Sequence, residues 1–300
     1  MKVREDISEA ILNNKPVVAL ESTIITHGMP YPENVKTAIE VENVVKENGG
    51  IPATIGVIDG NVIIGLTADE IDTLARSKYS IKISTREIPL AIAKKLSGGT
   101  TVSATSFLAE LSKIKVFVTG GLGGVHREVI EIFDISRDLE ELSLRDIVIV
   151  SSGVKSILDV QKTFEYLETK GILVVGYKTN EFPTFYSSRS GLEIPEVDEK
   201  IVSHIFKGKL HLGIKGAVLV ANPIPKEYEI PFEKMEEWIE EALSELKKNN
   251  IHGKQVTPFL LSRIHEISHG ESLEANIALI KNNAKVGTLI AKELVKNGLD

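Results

Sequence analysis

Short apolar runs alternate with amphipathic stretches along the whole chain. The runs at 16–20 (PVVAL), 80–84 (SIKIS), 115–119 (KVFVT), 146–151 (DIVIVS), 172–177 and 217–221 (AVLVA) each read as strands. Residues 51–58 and 61–65 flank Asp59-Gly60, the strongest hairpin signal present. Between these runs apolar residues return at helical spacing. Pro32 and Glu33 open a helix carrying Val35, Ile39, Val41, Val44 and Val45, and Gly49-Gly50 stops it. Further helices are expected over 68–77, over 88–96 (Pro89 suits a first turn), and over 101–112 after Gly98-Gly99. Another spans 156–169, with Ile157, Val160, Phe164 and Leu167 on one face, and a shorter one 200–206. A loop of Pro, aromatic and Ser residues covers 181–190. The last third reads as helices at 232–249, 258–268 and 272–297.

Strand runs apolar on both faces, each followed by a helix, imply a mainly parallel sheet covered on both sides. The early hairpin adds an antiparallel part. No Ser/Gly linker, composition shift or repeat interrupts residues 1–300. The expectation is one α/β domain, a three-layer α/β/α arrangement with a mixed central sheet and a helical C-terminal region.

Composition narrows the function. With 42% hydrophobic and 26% charged residues, disorder, collagen and a coiled-coil rod are excluded. A net charge of −7 argues against a phosphate-backbone partner, so no nucleic acid is expected. The chain has no cysteine, which removes disulfides, thiolate nucleophiles, iron–sulfur clusters and Cys-type zinc sites together. No stretch approaches the roughly 20 apolar residues that cross a bilayer. Residues 1–16 lack the apolar core of a signal peptide. A soluble, cytoplasmic protein with no membrane partner is expected.

Ligands of open α/β sheets bind beyond the carboxyl ends of strands. Unusual residues follow the strands here. Glu21-Ser22-Thr23 follows PVVAL, four glycines and His126 follow KVFVT, Lys155 follows DIVIVSSG, and Asn222-Pro223 follows AVLVA. The glycine run matches no dinucleotide or P-loop fingerprint, and reads either as free N–H groups for an anion or as a tight turn. His126 is a candidate donor to a ligand carbonyl, or a structural imidazole. Lys155, at the expected start of a helix, faces the positive end of the dipole, which favours an uncharged, nucleophilic amine; the bland alternative is a snorkelling lysine. Glu21 suits a general acid or base, or a strand-end cap. Asp134 and Asp138 could support a hard cation while Ser136 and Arg137 hold phosphate, although Ser136 or Asp138 also reads as an N-cap. Lys82 is a further cation, and Val102 lies where a helix start could offer N–H groups to an anion. These residues outline an enzyme handling a small phosphorylated ligand.

The strings ALESTIITHGMPYPEN, TTVSATSF, VFVTGGLGGVHRE, FDISRDL, SSGVKSILD, YLETKGI, VANPIP, GKQVTPFLL and SLEAN occur in that order. The set, from about Val17 to Lys292, closely resembles the pseudouridine-5′-phosphate glycosidases of the indigoidine synthase A-like family. The resemblance implies reversible cleavage of pseudouridine 5′-phosphate to uracil and ribose 5-phosphate, with degradation as the physiological role. By class this is a C-glycosidase of the carbon–oxygen lyase, hydro-lyase type. The resemblance also implies a divalent metal, usually Mn2+, and a homotrimer. The nucleophilic lysine then falls on Lys155, the proton-donating glutamate on Glu21 and the metal-binding aspartate on Asp134. Phosphosugar contacts fall on Lys82, Val102, Ser136, Arg137 and Asp138. Uracil contacts fall on Thr119, His126 and Asn276. A Schiff-base aldolase and a non-catalytic sugar-phosphate sensor are the competing readings.

Overall fold

The computed structural model describes residues 1–127, 129–251 and 253–296. Its strands are β1 (Lys2–Val3), β2 (Val17–Leu20), β3 (Ile51–Ile58), β4 (Asn61–Ile64), β5 (Ile81–Ile83), β6 (Gly98–Thr100), β7 (Val116–Val118), β8 (Val148–Ser151), β9 (Leu173–Tyr177), β10 (Glu196–Val197) and β11 (Val218–Ala221). They form one mixed sheet in the order β1-β4-β3-β2-β7-β8-β11-β9-β10, with β6 attached to β3 and β5 to β6. From β3 to β10 along that path every pairing is parallel. The antiparallel contacts are those of β3 with β4 and with β6.

The central strands form because their residues are β-branched or otherwise apolar and can be buried on both faces. β2, β7, β8 and β11 are buried at every position. The expected hairpin is present: Asp59 and Gly60 have φ of 48° and 74°, as a two-residue turn between right-twisted strands requires. Helices cover both sides. The long helix Glu271–Lys296 packs on β2, β7 and β8 and against Glu33–Glu47 and Glu199–His211. Val102–Leu111 packs on β2, β3 and β7 and against Arg137–Leu144. Among the described residues no helix is long and apolar enough to cross a membrane.

Two differences from the sequence reading bear on the site. Gly98-Gly99, read only as the stretch before the 101–112 helix, forms β6. A Cβ on Gly99 would stand 2.5 Å from the carbonyl oxygen of Ser22, so only glycine lets the strand approach that closely. The helix expected over 156–169 begins at Val160. Asp159 is its N-cap, accepting from the N–H of Lys162 at 2.9 Å. Residues 156–158 are held instead by tertiary bonds, Ser156 to the carbonyl of Thr184 and Arg127 to the carbonyl of Ser156 at 2.8 Å. The final helix matches its expected course to Lys296; Asn297, and Glu128 of the glycine-rich motif, lie outside the described residues.

Candidate active site

The chain leaves β2 toward β3 in one direction across the sheet, and leaves β7 toward β8 in the other. The crevice of this doubly wound arrangement therefore opens beyond the carboxyl ends of β2 and β7. Glu21 directly follows β2 and Thr119 directly follows β7. A cavity of about 430 Å³ lies there. Every residue given a site role from the sequence lines it except Thr119, which stands one layer behind; Ser22, Asn222 and Pro223, also singled out at strand ends, do not line it.

Glu21 is half-buried and both its oxygens are engaged. The hydroxyl of Thr119 donates to Oε1 and that of Thr23 to Oε2. Two hydroxyl donors fix the plane of the carboxylate. Thr119 is fully buried, so its side chain supports the acid rather than presenting a donor to a base.

Lys155 follows β8 in a loop, not at a helix start, so the dipole reasoning does not apply to it. What positions it is a short extension of strand pairing. Ser152 N–H donates to the Gly120 carbonyl, Leu122 N–H to Gly153 and Lys155 N–H to Leu122, at 2.9, 3.0 and 3.1 Å. The ammonium then turns back and donates to the carbonyl of Gly121 at 2.6 Å.

Four N–H groups of the glycine loop are already taken within the protein. The N–H groups of Leu122, Gly123, Val125 and His126 bond to Gly153, Asp138, Thr163 and Asp134 respectively. The glycines are needed for close approach. A Cβ on Gly121 would stand 2.4 Å from the Phe185 ring, and one on Gly123 would stand 2.2 Å from the Ser136 hydroxyl.

The segment after Phe133 divides its work. Ser136 is the N-cap of Arg137–Leu144, accepting from the Asp138 N–H at 3.2 Å. Asp138 is buried and accepts from the N–H groups of Ser103 and Gly123, at 2.9 and 3.0 Å. Its carboxylate ties the glycine loop to the start of Val102–Leu111, one N–H on each oxygen. Arg137 is exposed at the cavity wall and held by Glu141 at 3.0 Å. The helix begun by Val102 has no side-chain cap from Thr101; Thr101 and Val102 line the cavity, while the Ser103 N–H of that first turn is taken by Asp138.

Asp134 and His126 face each other, with Oδ2 and Nε2 3.6 Å apart. Among the described residues no group of three or more acidic or histidine side chains could cage a metal. One carboxylate at the cavity wall does suit a hard cation that keeps most of its water and is completed by a substrate phosphate. The donor set thus fits a hydrated divalent ion on Asp134.

Lys82 occupies the middle of β5, opposite Gly99 of β6, and lines the cavity. Beside it lies His27, which the sequence reading passed over. His27 sits in the π-type turn Ile24–Gly28, its Nδ1 2.7 Å from the Thr26 hydroxyl. Burial, and then the charge of Lys82, push its pKa below the ordinary 6.5. Arg86, Phe185 and Thr257 also line the cavity and were missed. None of them stands at a strand end, and only the Pro/aromatic loop that carries Phe185 gave any signal. Asn276 reaches the cavity from the long helix.

The indigoidine synthase A like protein family model matches residues 6–293. The pseudouridine-5′-phosphate glycosidase of Petrotoga mobilis is 50% identical over 295 residues, 98% of this chain and 96% of its own. An indigoidine synthase A-like protein of Thermotoga maritima superposes with a TM-score of 0.90 at 39% identity, covering 98% of this chain and 96% of that one. The prealnumycin C-glycosynthase AlnA, solved with ribulose 5-phosphate, superposes with a TM-score of 0.91 at 34% identity, covering 98% and 97%.

Proposed function

The chain is an enzyme that belongs to the indigoidine synthase A-like family, and on that premise we propose that it cleaves the C–C glycosidic bond of pseudouridine 5′-phosphate. The products are uracil and D-ribose 5-phosphate; the reaction is reversible, with degradation as its physiological direction. The observation that carries this reading is the meeting of Lys155 and Glu21 in one cavity whose wall also holds Lys82 and Arg137. An amine and a carboxyl group in one cavity suit reaction at a sugar carbon, and the cations on its wall suit a phosphate. The relatives' name and the ribulose 5-phosphate of the C-glycosynthase point the same way.

Ordinary glycosidases use two carboxylates, one of them protonating a leaving heteroatom. Here the leaving atom is carbon, which has no lone pair. An amine solves the difficulty. Nζ of Lys155 gives up its bond to the Gly121 carbonyl, passes a proton to the Glu21 carboxylate and, as the free amine, adds to C1′ of the ribose. The C1′–O4′ bond breaks, Glu21 delivers the proton that O4′ takes up, and it takes one back from the nitrogen now bonded to C1′. Glu21 passes that proton to C5 of uracil, the nitrogen lone pair displaces it, and the C1′–C5 bond breaks. Uracil leaves and a lysine–ribose imine remains. Water adds to the imine, releases ribose 5-phosphate and restores Lys155. Asp134 would hold a divalent cation such as Mn2+, whose contribution is to neutralise and orient the phosphate. Binding at the phosphate, remote from the reacting bond, supplies positioning energy.

The test is release of free uracil from pseudouridine 5′-phosphate, with chelator and with added manganese. Release that chelation suppresses and manganese restores is expected. Binding without release would favour a sensor, and cleavage of other sugar phosphates without uracil release an aldolase. A homotrimer in the cytoplasm is part of the same proposal, and sedimentation at working concentration checks the trimer.

A further inference from the structure

We propose that Asn283, which does not line the cavity, is a positioning residue for this reaction, acting through Thr119 on Glu21. It lies on the long helix Glu271–Lys296, seven residues beyond Asn276 and therefore on the same stripe. Its neighbours on that stripe, Leu279, Ile280, Ala284 and Ile290, are buried and apolar. Asn283 is itself fully buried. A buried amide is costly unless its bonds are made, so the position calls for an explanation.

The side chain reaches the ends of three parallel strands at once. Its Nδ2 donates to the carbonyl of Thr119, after β7, at 2.9 Å. The same nitrogen donates to the hydroxyl of Ser152, after β8, at 3.1 Å. Its Oδ1 accepts from Nδ2 of Asn222, after β11, at 2.8 Å. The first bond is the one with a chemical consequence. Holding the Thr119 carbonyl sets the backbone from which the Thr119 hydroxyl donates to Oε1 of Glu21. The second holds the start of the segment 152–155 that carries Lys155. An apolar residue at 283 would leave the Thr119 carbonyl without its side-chain partner, its backbone held only by the bonds of Thr119 N–H to Val150 and of Ser152 N–H to Gly120, and would loosen the aim of one of the acid's two donors. Asn283 thus links the ends of β7 and β8, from which the support of the acid and the amine themselves reach the substrate.

The inference rests on the proposed C–C cleavage, and the experiment separates the two. Wild-type protein is first assayed for uracil release; if none occurs, the reaction reading fails and this inference falls with it. If release occurs, Asn283→Ser is measured alone and in the Thr119→Val background. Alone it is expected to lower kcat by about tenfold or more with KM within about twofold, the pattern of lost transition-state positioning. In the Thr119→Val background, where the hydroxyl is already gone, it is expected to lower kcat by less than about threefold. A purely structural role predicts the same factor in both backgrounds, and that result, or an unchanged kcat in the single variant, overturns the inference. Should Asn283→Ser fail to purify as folded protein, Asn283→Asp is read by the same two ratios. It keeps an acceptor for Asn222 but loses the donor to Thr119.

Discussion

At the amino ends of the parallel strands, Asp146 sits just ahead of β8 and accepts from Lys209 at 2.8 Å and Lys215 at 2.5 Å. Nearby, Glu110 takes Arg145 at 2.8 Å and the Asp146 N–H at 2.6 Å. At the carboxyl ends of the same strands, Glu21, Lys155, Asp134 and Arg137 surround a cavity. Both ends carry acids and bases. At the amino ends the charges neutralise one another, so their effect is confined to holding the chain together. At the carboxyl ends Glu21 and Lys155 are supported by hydroxyls and a backbone carbonyl, which orient them without cancelling their charge, although Arg137 there is paired with Glu141. A carboxylate held by two hydroxyls keeps its aim and meets no cancelling charge. One paired with two ammonium groups keeps neither its charge nor its aim for a substrate. The kind of partner, more than the kind of residue, separates a structural end from a reactive one.

The sharpest way to break this contrast is Lys155→Ala. Uracil release should fall by about a thousandfold or more. The variant should still bind ribose 5-phosphate by calorimetry, and its Tm should move by less than about 2 °C. Turnover near the wild-type rate would remove the amine from the mechanism. Borohydride added to working wild-type enzyme should attach the ribose phosphate mass to Lys155.

Asp146→Asn should do the reverse. Loss of its two ammonium partners is expected to cost about 2 kcal/mol, seen as a Tm several degrees lower with kcat unchanged. Its dependence on acid gives a second handle. Burial alone would raise the Asp146 pKa, but Lys209 and Lys215 outweigh it and hold the carboxyl below its ordinary 3.8. A pKa depressed in the folded state contributes stability above the unfolded value and loses it as pH falls through the folded one. The Tm difference between wild type and variant should therefore be constant near neutrality and shrink below about pH 4. A difference that persists at the lowest pH would show that packing, not charge, is what the substitution removes.

The smallest effect sharpens the reactive end. His27, held low by burial and by Lys82, should titrate below its ordinary 6.5 when followed by its ring proton resonances. In Lys82→Met the midpoint should rise, because one of the two causes is gone. An unmoved midpoint would mean that Lys82 points away from the imidazole.

Much of the fold was legible because its signals are local. Apolar runs of strand length, the Asp59-Gly60 turn and the helical spacing of the C-terminal third depend on residues close together in the chain. The strand-end rule then placed Glu21 and Lys155 at a shared crevice, and both line it. Local signals failed where distant residues compete. The pattern after Ser156 is helical, but Thr184 and Arg127 hold its first residues out of the helix. His27 and Arg86 gave no signal because neither stands at a strand end.

The alternation of most strands and helices, the exclusion of thiol chemistry, and the identity of an amine and an acid at strand ends were determined by the sequence itself. Pattern and composition are properties of neighbouring residues, and they survive without a fold. Which groups remain open to a ligand was decided only in three dimensions. Thr119 turned out to face Glu21, and Asp138 to bind the N–H groups of Gly123 and of Ser103, 35 residues away. A hydrogen bond saturates its donor, and the competition for each donor is settled by residues that the sheet topology, not the chain order, brings within 3 Å.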